Sequence, residues 1–153
     1  MENHEKFMRR AIRLSEQNIE NELGGPFGAV IVKDGLVVAE SANKVIIEND
    51  PTAHAEVSAI RLACKALNTY DLSGCVIYTS CEPCPMCLGA IYWAHIDKIY
   101  YANTKADAAA IGFDDHFIYD EIGCEMNDRK LPFVQLLRDE AQSAFKRWQG
   151  ENY

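Results

Sequence analysis

Positive charge is scarce in this sequence. Its 153 residues hold 15 Lys and Arg against 23 Asp and Glu, a formal net charge of -8. The average surface therefore repels phosphate chains, and a nucleic-acid partner is not expected. The basic residues that do gather, Lys6, Arg9, Arg10, Arg13 and Lys44, are short runs interspersed with acids and read as a solvated helix face. Long hydrophobic runs are missing too, and the opening residues MENHEKFMRR carry no apolar signal-peptide core. Neither a membrane partner nor export is expected, and the location reads as cytoplasmic. No internal repeat or low-complexity segment interrupts the chain. With 48 % hydrophobic and 25 % charged residues, it fits one globular domain over 1–153 with a real core.

Cysteine is not scarce: there are six, Cys64, Cys75, Cys81, Cys84, Cys87 and Cys124. In a reducing compartment these are ligands, catalytic groups or buried thiols rather than disulfides, and Cys64, Cys75 and Cys124 read as core. The other three fall at three-residue intervals in the run TSCEPCPMC, residues 79–87, with Pro83 and Pro85 between them. Proline is favoured where a helix begins, so a helix is expected from near Cys84, with Cys84 and Cys87 together in its first turn. A helix N-terminus lowers thiol pKa, which poises both as thiolates for metal.

Along the chain, Phe7, Met8, Ala11, Ile12, Leu14 and Ile19 recur at helical spacing and predict an amphipathic helix over 5–19. LGGPFG, 23–28, is a turn opening onto a strand over 29–33; Asp34-Gly35 signals a hairpin, and 36–42 returns as the second strand. Phe27 and Asn43 are then placed near opposite ends of the two strands, where a twisted sheet could still bring both to one rim. Pattern alone reads Phe27 as core and Asn43 as a turn residue. A helix over 53–67 carries His54 and Glu56 in its first turn, a strand over 75–80 leads to the cysteine turn and a helix to about His95, and a strand follows over 98–102. Beyond it, 107–110 looks locally helical and Gly112 breaks it. Asp114 and Asp115 follow between aromatics, as pocket lining or as a helix cap. A strand candidate at 131–137 and a helix over 140–148 complete an α/β layered domain, helices covering a mixed sheet.

One imidazole and two thiolates, His54 with Cys84 and Cys87, are a donor set that zinc prefers, and a catalytic zinc keeps its fourth position for water. Glu56 stands too close behind His54 to bind the same ion easily, yet within reach of that water. Two other readings compete. A structural zinc site could recruit Cys81 or Cys124 as fourth ligand and make the protein a binding module. An iron–sulfur cluster lacks the fourth cysteine followed by proline that bacterial ferredoxins carry. The pairing of HxE at one helix start with PCxxC at another favours the hydrolytic site.

PTAHAEVSAIR (51–61) and TSCEPCPMCLGAIYWA (79–94) resemble the cytidine deaminase superfamily of zinc nucleobase deaminases. With GGPFGAVIVKDG (24–35), GFDDHFIY (112–119) and a chain ending in Tyr, they resemble most closely its bacterial guanine deaminase branch. The resemblance implies a three-layer α-β-α fold with a central mixed five-stranded sheet, and one zinc per chain carrying a water or hydroxide. It implies a homodimer that exchanges its C-terminal segment, from about residue 138, between subunits. His54, Cys84 and Cys87 would bind zinc and Glu56 would shuttle the proton. Phe27, Asn43, Ala55, Trp93, Asp114 and Asp115 would line a purine pocket, closed by Tyr153 of the other subunit. The implied reaction is hydrolysis of guanine to xanthine and ammonia in purine catabolism or salvage. Guanosine, another aminopurine and, more remotely, tRNA adenosine remain alternative substrates.

Overall fold

In the computed structural model, residues 3–148 are described. The elements are α1 (His4–Glu20), β1 (Gly28–Lys33), β2 (Leu36–Ala42), α2 (Val45–Glu48), α3 (Ala55–Leu67), β3 (Cys75–Cys81) and α4 (Pro85–Trp93). After them come β4 (Lys98–Asn103), α5 (Lys105–Ala110), α6 (His116–Gly123), a 3-10 turn at Met126–Asp128, and α7 (Arg138–Arg147). The chain forms two compact units, Met1–Phe117 and Ile118–Tyr153.

In the first unit, β1 sends Ala29 and Ile31 to one face of the sheet and Val30 and Val32 to the other, all buried. A strand apolar on both faces needs helices on both sides. α1 supplies one cover: its stripe Phe7, Ala11, Ser15 and Asn18 faces inward, with Phe7 and Ala11 against Val30, Val32 and Tyr78. The other is supplied by α3 and α4. Ala55, Ala59 and Ala63 recur every fourth residue on α3, where small side chains let the helix lie close on the sheet, and Ile91 joins them from α4. The result is the expected three-layer α-β-α domain. On the exposed face of α1, Arg9 pairs with Glu5 within the helix and Arg10 with Glu40 of β2, the solvated face expected for the basic residues of that helix.

The described residues form one sheet, ordered β2-β1-β3-β4, with only β3 and β4 parallel. Four strands stand where five were expected. Residues 131–137 pair with no strand among the described residues: Pro132 has no N–H to give a ladder.

Strand register also corrects the placement of Phe27 and Asn43. Gly28 pairs with Ala42, Ala29 with Thr79 and Cys81 with Asn103. The start of β1 and the ends of β2, β3 and β4 therefore lie along one rim. An antiparallel hairpin brings the residue before its first strand beside the residue after its second, and Asn43 N–H donates to the Phe27 carbonyl at 3.1 Å.

The second unit contains α6 beyond Phe117, the 3-10 turn and α7, none with a buried residue. Leu131, Val134, Leu136 and Phe145 are among its exposed apolar side chains. Arg129 donates to the carbonyls of Glu121 and Ile122 and lies over the Phe133 ring, tying its own turn together.

Candidate active site

Two helix N-termini meet at the rim. His54 and Cys84 are not in first turns but are the N-caps of α3 and α4, both with extended backbone. For Cys84, Pro85 at the start of α4 enforces this, since a proline turns the residue before it away from helical angles. Cys87 and Glu56 follow inside the first turns. From the caps, the His54 ring reaches both cysteines: Nδ1 lies 3.5 Å from the Cys84 Sγ and 3.5 Å from the Cys87 Sγ.

This spacing matches what zinc needs. At bond lengths of about 2.0 Å to nitrogen and 2.3 Å to sulfur, tetrahedral ligands lie roughly 3.6 Å apart. The three donor atoms lie within 4.8 Å of one another, and no fourth His, Cys, Asp or Glu joins them among the described residues. The group can hold one zinc ion and leave a coordination position open. Cys81 is outside it: its thiol donates to the Thr104 carbonyl at 3.7 Å, and burial pushes its pKa up to about 11.

Charge is distributed unevenly among the donors. A hydrogen bond from the Cys87 thiol, helped by one from His54 and opposed by burial, brings Cys84 down to about 4. The same bond, with burial, raises Cys87, so the pair favours its negative charge on Cys84. His54 is raised chiefly by its hydrogen bond to Cys84. Glu56, only 8 % exposed, is raised to about 7, first by burial and then by the charge of Cys84.

Around this group the rim supplies a lining. Ala55 is fully buried behind His54, and Phe27 meets Phe113 edge to face at 4.9 Å between ring centroids. The Asn43 side-chain oxygen accepts from the Val45 N–H at 3.1 Å, which fixes the amide orientation and leaves its NH2 without a partner among the described residues. Asp114 and Asp115 divide: exposed Asp114 accepts from the His116 N–H at 2.9 Å at the start of α6, while half-buried Asp115 is raised by burial and by the charge of Cys84. Trp93 is not brought to the group. It ends α4, ~13 Å along the axis from Cys84 at 1.5 Å per residue, and is 76 % exposed. Tyr153 lies outside the described residues.

Sequence reasoning missed Asn18. Its side-chain NH2 donates to the Gly25 carbonyl at 2.7 Å and the Asn43 carbonyl at 3.0 Å. The available signal was an amide on the buried stripe of α1, where an apolar residue is the ordinary occupant.

A three-layer fold with an open His-Cys-Cys group and a buried carboxyl beside it defines a zinc-dependent hydrolase of the deaminase type. The chain belongs to the family of the cytidine and deoxycytidylate deaminase zinc-binding region, whose pattern matches residues 1–103. It is 55 % identical to guanine deaminase of Bacillus subtilis (strain 168) over 97 % of this chain and 95 % of that protein. A crystal structure of guanine deaminase from Bacillus subtilis superposes with a TM-score of 0.94 at 54 % identity, covering 98 % of this chain and 96 % of the other. A tRNA-specific adenosine deaminase of Agrobacterium fabrum is 45 % identical over 56 % of this chain and 57 % of its own. A solved structure in complex with 2,6-diaminopurine is 37 % identical, with a TM-score of 0.71 over 75 % of this chain and 64 % of that one.

Proposed function

We propose that this protein hydrolyses guanine at C2, giving xanthine and ammonia, with one zinc per chain held by His54, Cys84 and Cys87. The observation that carries this reading is the three-donor group with Glu56 buried beside it; the near-full-length similarity to a guanine deaminase supports the substrate. Zinc would supply a Lewis acid that makes water nucleophilic near neutral pH. Glu56 takes the proton of the attacking water, gives it to N3 of the purine, and later delivers a proton to the departing amine. Water and guanine account for every atom of xanthine and ammonia.

The lining selects the base. With its oxygen engaged by the Val45 N–H, Asn43 is oriented to present its NH2 donors toward the pocket. It therefore suits the C6 carbonyl oxygen of guanine and opposes the C6 amine of adenine. Asp115, rather than the helix-capping Asp114, accepts a purine N–H, while Phe27 and Phe113 cover the ring. If that N–H is the one replaced by ribose in nucleosides, guanosine leaves the half-buried Asp115 acceptor unpaired, at a cost of ~1–3 kcal/mol. A tRNA substrate also faces a chain of net charge -8.

The working unit in this reading is a homodimer of single-domain chains that exchange their C-terminal segments from about residue 138, with Tyr153 closing the partner's pocket. Exposed apolar side chains favour such a cover: Tyr92 and Trp93 on α4, and Leu131, Val134, Leu136 and Phe145 in the second unit. No described helix is long and apolar enough to cross a membrane. All six cysteines are free thiols, in keeping with action in the cytoplasm.

Ammonia release from guanine, guanosine, adenine, cytidine and cytosine tests the proposal on purified protein. Guanine is expected to turn over with xanthine appearing in step, and guanosine about 5- to 150-fold more slowly. No ammonia from guanine overturns the activity; equal rates on guanine and guanosine overturn the role of Asp115.

A further inference from the structure

We infer that Asn18, on α1 and outside the pocket, is a positioning residue that sets purine selectivity by holding Asn43. The inference rests on the guanine reading above. Asn18 is 4 % exposed and occupies the buried stripe of α1, where its amide would be costly without partners. It has two. Both are carbonyls of the pocket rim: Gly25 in the turn that carries Phe27, at 2.7 Å, and Asn43 itself, at 3.0 Å. One NH2 group thus ties the two backbone segments that present the base-facing side chains.

The surroundings are built to the same contact. A Cβ on Gly24 would stand 3.2 Å from the Asn18 amide nitrogen, 3.0 Å from the Asn43 carbonyl oxygen and 3.4 Å from the Asn43 side-chain oxygen. A glycine is what lets the turn settle over both asparagines. Asn43 meets the rim through its N–H to Phe27, its carbonyl to Asn18 and its side-chain oxygen to Val45. Its free NH2 is aimed by these three bonds. Removing the bond to Asn18 releases a bond that ties Asn43 to α1, and the donor loses its fixed direction toward the purine C6 oxygen.

Asn18→Ala and Asn18→Leu remove the donors, the second keeping most of the side-chain volume so that packing is retained. Each is assayed as the zinc-loaded protein on guanine and on 2-aminopurine, which keeps the C2 amine but lacks the C6 oxygen, as substrate or competing inhibitor. Ser15→Ala is the control, since its hydroxyl bonds only within α1, to the Ile12 carbonyl.

The expected result is a fall of about tenfold in kcat/KM on guanine, carried by KM, with 2-aminopurine changed less than about twofold and zinc content unchanged; tenfold corresponds to ~1.4 kcal/mol. In an Asn43→Ala background the Asn18 change should add less than about twofold to the loss on guanine. Equal losses on both purines, or no loss on guanine from either Asn18 variant, overturn the inference. Failure of the unaltered protein to act on guanine instead overturns the underlying activity.

Discussion

Replacing Glu56 by Gln should stabilise the zinc-free protein while abolishing its chemistry, because the same burial that fits the carboxyl for proton transfer makes its charge expensive. The folded-state pKa is raised from 4.5 to about 7. At ~1.4 kcal/mol per unit, that is ~3 kcal/mol between the two protonation states. The sign follows from proton binding: between these two values the folded chain holds a proton that the unfolded chain has released, so stability falls as pH rises. Zinc-free wild type therefore loses ~3 kcal/mol through this group between pH below 4.5 and pH above 7, while Gln, neutral throughout, loses none. Urea unfolding of both chelated proteins across that range reads this difference together with the smaller shifts that loss of the Glu56 charge brings to His54 and Cys87 beside it. The Gln advantage should be near zero at the acid end and ~3 kcal/mol at the alkaline end. Parallel pH curves would refute the buried-charge argument. Reloaded with zinc, the Gln protein should hold one ion per chain yet lose ~10²–10⁴-fold in kcat. Retained turnover refutes the shuttle role.

The remaining predictions concern the metal group and the frame around it. Cys87→Ser should lose most bound zinc by metal analysis, whereas Cys81→Ala should keep the full complement, because Cys81 is a neutral thiol bonded to the Thr104 carbonyl. Zinc should also dissociate more readily as pH falls, since its thiol ligands bind as thiolates and burial raises Cys87; competition with a chelator at two pH values checks this. Gly28→Ala should be severely destabilising. The added Cβ would stand 2.2 Å from the Ala11 carbonyl oxygen, 2.8 Å from the Leu14 Cβ and 3.0 Å from the Ser15 nitrogen. Lifting α1 from the sheet to relieve this costs ~3 kcal/mol or more, read as a lowering of Tm by roughly 6–12 °C. A Tm within experimental error of wild type would contradict the close approach of α1 to β1.

The periodic elements and the chemical group were legible in the sequence because each depends on neighbours a few residues away. The amphipathic stripe of α1, the Asp34-Gly35 hairpin and the Pro85 helix start all announce local conformations, and they appear where expected. The pair HAE and PCPMC was legible because chemistry restricts which residue types can hold zinc. What escaped depended on long-range pairing. Residues 131–137 have the apolar content of a strand, but a strand exists only where a partner edge is offered. Asn43 reads as an ordinary turn residue until the register of β1 and β2 sets it beside Phe27. Asn18 shows in the sequence only as an amide on the apolar stripe of α1, and its two acceptors, 7 and 25 residues away, reach it only when the turn at Gly25 folds back over the helix.

In the proposed reaction, two thiolates and one imidazole would also suit Glu56 to exchange a proton twice in one cycle. Two thiolates cancel the charge of a divalent ion, and the N-termini of α3 and α4 supply the partial positive charge that makes both thiolates tolerable in a buried place. With the ion neutralised by its own ligands, less field remains to hold Glu56 permanently ionised. An all-imidazole set would leave two positive charges beside the carboxyl and pull its pKa down, making it a poorer donor to a departing amine. The arrangement thus ties ligand identity to the shuttle: exchanging a cysteine for histidine should impair return of the proton even where metal binding survives.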